Sequence, residues 1–161
     1  MDITKWAEKI MTMDNEAWQR HANPWSVYSR FSILPLLSLA IWSRQWLDFY
    51  SLPLVLLCLL WIWLNPRVFP APKDFNNWAS KGTFGERLYL NRHNEPIPPH
   101  HLKMGQILLT LSALGMLIWG YGIWALDLPY LLLGNVWVMT FKAWFVDRMV
   151  WLYDEVKRVQ A

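Results

Sequence analysis

A lone cysteine, Cys58, stands in a chain of 161 residues. No internal disulfide can form, and its apolar neighbours in "VLLCLLW" give no reason for a lowered thiol pKa. Charge is equally scarce. Only 17% of the residues are Asp, Glu, Lys or Arg, where soluble domains carry about 25%. No glycine-rich phosphate loop, nucleophile elbow or zinc-protease helix occurs. The four histidines form neither the repeated pairs of a di-iron membrane oxidase nor intraspan ligands for haem b. The net charge of +3 does not indicate nucleic-acid binding, because the basic residues follow membrane orientation instead.

What the chain has is apolar surface in long runs: 55% of residues are hydrophobic and thirteen are tryptophan. A membrane helix needs roughly 20 apolar residues, and four runs qualify, at about 25–43, 46–64, 104–126 and 129–151. Before them, Ile3, Trp6, Ile10, Met13 and Ala17 recur at helical spacing. Residues 1–20 therefore read as an amphipathic helix that lies on the membrane surface or packs against the bundle, and four acids within them argue against a cleavable signal peptide. The expected fold class is all-α, a single membrane domain. Four spans form an integral membrane four-helix bundle, with an N-terminal amphipathic helix and a partly helical cytoplasmic loop over 65–101.

Orientation follows the basic residues. Lys5, Lys9, Arg20 and Arg30 lie at the start, and six more, from Arg67 to Lys103, lie between the second and third runs. Lys142, Arg148, Lys157 and Arg158 lie at the end, whereas the opposite turns hold only Arg44. Both termini and the 65–101 loop are expected on the cytoplasmic side of an inner membrane. Trp42, Trp46, Trp119 and Trp124 mark one boundary; Trp18, Trp25, Trp61, Trp63, Trp144 and Trp151 mark the other.

The segment "RHANPWSVYSR" ends a surface helix, turns at Asn23-Pro24 and enters the first run. In the loop, "TFGE" matches a capping box with Thr83 as cap and Glu86 reaching back, and Asp74 suits the start of a shorter helical turn. Asp127 suits a cap for the fourth run, with Pro129 in its first turn.

Arg30 and Lys142 lie well inside their runs, Lys142 about 13 Å from Trp151 along the helix. Charges at such depth pair, snorkel or line a wet cavity, and Asp147 is the expected acidic partner of either cation. Arg148 can stack on Trp144. Arg30, Arg87, Arg92, Arg148 and Lys142, with Glu86 and Asp147, make a candidate pocket for a phosphate or carboxylate headgroup, with Glu86 or Asp147 as a candidate base. A metal site from His21, His93, Glu86 and His101 is a weaker candidate. Adjacent histidines in an extended segment point opposite ways, so one of His100 and His101 would serve.

Taken together, "RHANPWSVYSRF", "NPRVFPAP", "NWASKGTFGER", "IPPHH" and "DRMVWLY" resemble a family of small prokaryotic multi-pass membrane proteins of unknown function. That resemblance implies an integral membrane domain and transfers no catalytic residue or cofactor. Three functional classes follow. By default the chain is a non-enzymatic scaffold, accessory subunit or homo-oligomer, with Ala113, Gly115, Gly120 and Gly122 offering a small-residue face for a larger membrane complex. The alternatives are an enzyme or carrier for an anionic amphiphile, and a metal- or redox-cofactor protein. The expected partners are the lipid bilayer and anionic headgroups, with no nucleic acid.

Overall fold

The computed structural model describes residues 15–94 and 96–160, and among these every regular element is helical. The expected surface helix over 1–20 lies outside the described residues as far as residue 14. The described residues begin with α1, Asn15–His21.

Helix α2, Pro24–Phe31, begins as its sequence dictates. Asn23 accepts from the Trp25 amide through its side chain at 2.9 Å, and Pro24 occupies the first helical position. The chain then breaks at Ser32 before α3, Ile33–Trp42. Pro35 supplies the reason, since it has no amide for the Phe31 carbonyl and its ring crowds that carbonyl. A short turn, α4 (Arg44–Leu47), is followed by a 3₁₀ turn at Asp48–Tyr50, where Asp48 takes a positive φ of 47°. Helix α5, Ser51–Val68, therefore starts later than the expected 46, and it packs back on α3.

The loop is more helical than its capping-box pattern suggests. Helix α6 spans Trp78–Leu90, with Asn77 as cap accepting from the Ser80 amide at 2.9 Å. Thr83 sits inside it, bonding back to the Ala79 carbonyl, so the box is not the helix start. Asp74 caps only the turn ahead, accepting from the Asn76 amide.

Helix α7, Pro99–Ala125, runs 27 residues, roughly 40 Å. After Leu126 in the left-handed region and Asp127, whose carboxylate accepts from the Tyr130 amide at 3.3 Å, α8 runs over Leu128–Gln160. Helices α7 and α8 form the principal hairpin. A Cβ on Gly122 would lie 2.4 Å from the Leu131 backbone, and one on Gly134 would lie 2.5 Å from that of Trp119. The two backbones touch there because neither residue has a side chain. The main core, Tyr89, Ile97, Leu108, Phe145, Met149 and Leu152, ties α6 to this hairpin.

The stretch Pro24–Val68, which folds back on itself, and helix Pro99–Ala125 are long and apolar enough to cross a membrane. Only 6% and 17% of their most apolar portions are buried, which is unlike the core helix of a soluble protein. Helix α8, with Lys142, Asp147 and Arg148 inside the fourth run, does not meet that test.

Buried polar groups hold the apolar helices together in two places. Asn65 on α5 accepts from Ser26 and donates to Ser29 on α2, both at 2.7 Å. Asn135 on α8 bonds Ser38 on α3, which also accepts from the Trp119 indole at 2.8 Å. Each joins helices far apart in sequence.

Candidate functional site

Four charged or titratable side chains meet where α2, α6 and α8 converge. Lys142 donates to Glu86 at 3.0 Å. Arg30 donates to the His21 ring at Nε2 and to the Ser26 and His21 carbonyls. Arg30, Glu86 and Lys142 line one cavity of about 80 Å³ with Val27, Phe31, Thr83 and Val146.

The local sequence explains the convergence. Asn23 turns the chain so that His21 and Arg30, nine residues apart, face one another across the start of α2. Asn23 also donates to the Pro70 carbonyl, and Ser80 to that of Ala22, fastening this turn to the loop. Gly82 and Gly85 bring α6 hard against Val146 and Met149 of α8. Glu86, next on the same turn, then reaches Lys142.

Arginine only donates, so His21 accepts at Nε2 and carries its proton on Nδ1. That nitrogen is buried with no partner among the described residues. Burial, with Arg30 beside it, pushes His21 from 6.5 down to about 3. Burial alone would push the Glu86 carboxyl up, but Lys142 and Arg30 outweigh it and hold Glu86 below its ordinary value. At neutral pH the cluster thus holds two cations, one anion and a neutral imidazole. It carries one uncompensated positive charge.

Not every candidate joins it. Asp147, expected to pair with Arg30 or Lys142, instead accepts from the Trp78 indole at 3.1 Å. Arg87 bonds Asn15, lies over Trp18 and lines an open groove with Phe84 and Tyr153. Arg92 folds back on Tyr89, donating to its carbonyl at 3.0 Å. Arg148 stacks on Trp151 rather than Trp144. The metal candidates are likewise divided. His21 belongs to the Arg30 cluster, whereas His101 meets Glu155, and no cluster of metal-ligating groups among the described residues includes His21 or His93. Trp78 and Glu155 carried no sequence signal of their own; their roles arise from contacts 69 and 54 residues distant.

The pairing predicts an order of stabilities. Glu86→Ala leaves two cations facing each other, and because Lys142 is 43% exposed the loss falls between surface and buried pairs, about 2–3 kcal/mol. Asp147→Ala removes one hydrogen bond, about 1 kcal/mol. Thermal denaturation in detergent should place Glu86→Ala well below Asp147→Ala; the reverse order contradicts the assignment.

No curated protein and no solved structure matches the chain. The chain belongs to DUF6653, a family of unknown function, which it matches over residues 3–161.

Proposed function

We propose that this is an integral membrane protein of four spans that binds the anionic headgroup of an amphiphile at its cytoplasmic end. What carries the reading is the charge count of the Arg30–Glu86–Lys142 cavity. Two cations face a single acid, so one further negative charge completes the site. A phosphate or carboxylate supplies it, and arginine's planar fork suits either. The walls of Val27, Phe31 and Val146 suit the chain attached to such a headgroup.

Apolar exposure supports the membrane setting. Leu56 and Leu57 on α5, Leu117 on α7 and Val136 on α8 are each at least 60% exposed, more apolar surface than a soluble monomer presents. Helix α8 joins the bundle as the fourth span because Lys142 has Glu86, Asp147 has Trp78 and Arg148 has Trp151. The cluster lies at the boundary that the basic residues assign to the cytoplasm.

The oligomeric scaffold stays the alternative reading, but part of its small-residue face is taken up within the chain. A Cβ on Gly115 would meet Trp137 and Val138 of the same chain, and Gly122 is filled by Leu131; only Gly120 faces open space. Gly115 and Gly122 are used to close the α7–α8 hairpin, whereas Ala113 and Gly120 stay open.

The test is a titration of the protein in maltoside micelles with dodecyl phosphate, dodecanoate or zwitterionic dodecyl phosphocholine, followed by tryptophan fluorescence. One or both anionic probes should bind saturably, with affinity at least about tenfold weaker in Arg30→Gln and in Lys142→Gln. Arg20→Gln, on the exposed side of α1, should bind as wild type does. Equal response to all three probes, or wild-type affinity in both cavity variants, contradicts the proposal.

A further inference from the structure

A second cluster, separate from the cavity, lies where the start of α7 meets the last turns of α8. Helix α7 opens on Pro99, so His100 and His101 share its first turn. Their rings lie 4.2 Å apart between centroids. Both direct Nε2 at the same carboxylate oxygen, Oε2 of Glu155, His101 at 3.0 Å and His100 at 3.4 Å. One donor atom from each of the three residues falls within 4.8 Å of the other two.

The two separations from Glu155, 3.0 and 3.4 Å, are close to those of a metal's coordination shell. Ligands about 2.1 Å from a tetrahedral ion stand roughly 3.4 Å apart, so small side-chain movements would close the triangle. The donors are also held in advance, because His101 is only 1% exposed and α7 packs along α8. Its other nitrogen, Nδ1, is buried without a partner among the described residues, so no second hydrogen bond ties the ring to the metal-free arrangement.

The surroundings leave coordination positions open. The three residues face a groove of about 600 Å³ also lined by Arg148, Asp154 and Arg158. Asp154 is taken by Lys81 at 3.0 Å. Arg148 stacks on Trp151, and its Nε is buried with no partner among the described residues. Two imidazoles and one carboxylate suit a divalent first-row transition metal rather than calcium or magnesium.

We propose that His100, His101 and Glu155 bind a divalent first-row transition metal, with its remaining positions open to the groove lined by Arg148 and Arg158. The arginines give that groove a preference for an anionic co-ligand on the metal.

The test uses untagged full-length protein stripped with a chelator and titrated with Co²⁺ alone. The expected result is saturable binding of one Co²⁺ per chain, with visible d–d absorption, reversed by Zn²⁺. His100→Gln and Glu155→Gln should each weaken binding at least tenfold. His100 has a side chain 58% exposed, so its replacement tests ligation without disturbing the core, and His93→Gln should bind as wild type does. Absence of a saturable one-to-one signal, or wild-type affinity in both His100→Gln and Glu155→Gln, overturns the proposal. The readout does not depend on the amphiphile cavity, so each proposal can fail alone.

Discussion

Gly85→Ala should be the most damaging of the glycine-to-alanine changes. A Cβ at Gly85 would lie 1.9 Å from the carbonyl oxygen of Met149, 2.6 Å from its carbonyl carbon and 3.0 Å from its Cα. All three are backbone atoms of α8, so no rotamer change relieves the overlap. Helix α6 must move away from α8, which separates Tyr89 from Phe145 and Met149 in the core and pulls Glu86 from Lys142. Overpacking costs typically about 1–3 kcal/mol when side chains can give way; here they cannot, and a loss above about 3 kcal/mol is expected. Gly120→Ala is the matched comparison, because nothing lies within 4 Å of its Cβ position. It should stabilise by about 0.5–1 kcal/mol, the helix-propensity difference. Thermal denaturation of both variants in one detergent checks the pair. A Gly85→Ala protein as stable as wild type would contradict the α6–α8 contact on which the cavity depends.

Acidification should weaken the fold well before carboxylates titrate. His21 is held neutral in the folded chain, by burial first and then by Arg30, at about 3 instead of 6.5. In the unfolded chain it takes up a proton as pH falls through about 6.5. Between those values the unfolded state binds more protons, so stability is complete above pH 6.5 and declines below it at up to about 1.4 kcal/mol per pH unit. From pH 8 to pH 5 the loss attributable to His21 is about 2 kcal/mol, growing further toward its folded value. Glu86 adds to the decline at lower pH. Its folded pKa is depressed, so the stability it contributes is present above its unfolded pKa and is lost as pH falls toward the folded one. His21→Gln, whose side-chain oxygen can still accept from Arg30, should flatten the slope between pH 8 and 5. An identical slope in wild type and variant would place His21 in contact with solvent.

Much of the fold was legible because its punctuation is local. Asn23-Pro24 and Asp127-Leu128-Pro129 each mark a helix start by the chemistry of caps and first-turn proline, and the helices begin there; Pro98-Pro99 opens α7 in the same way, five residues before the expected 104. The break at Ser32 interrupts the run expected over 25–43, and Pro35 is its cause. The start of α6 was misread because two patterns compete within seven residues. Thr83 and Glu86 form a capping-box sequence, yet Asn77 stands earlier and caps first. The position of α7 decided the histidines. Opening that helix at 104 leaves His100 and His101 in an extended segment pointing apart, whereas opening it at Pro99 puts both on Glu155.

The partners of the deep charges were not legible, for a geometric reason. Lys142, Val146 and Met149 follow four- and three-residue steps and share the face of α8 that meets α6. Asp147, roughly 100° further round than Val146, takes the Trp78 indole instead. Sequence proximity made Asp147 the natural partner for Lys142, but Glu86, 56 residues away in the loop helix, occupies that place. Composition and depth could identify charges that need partners; only the packing of α6 on α8 selects which one each receives.

Native mass spectrometry of the protein gently extracted from the membrane tests the central claim most directly. The account predicts one anionic amphiphile retained per wild-type chain, and its loss in Arg30→Gln while the variant stays folded. A wild-type chain that carries nothing, or that retains a zwitterionic lipid equally in both proteins, would contradict it.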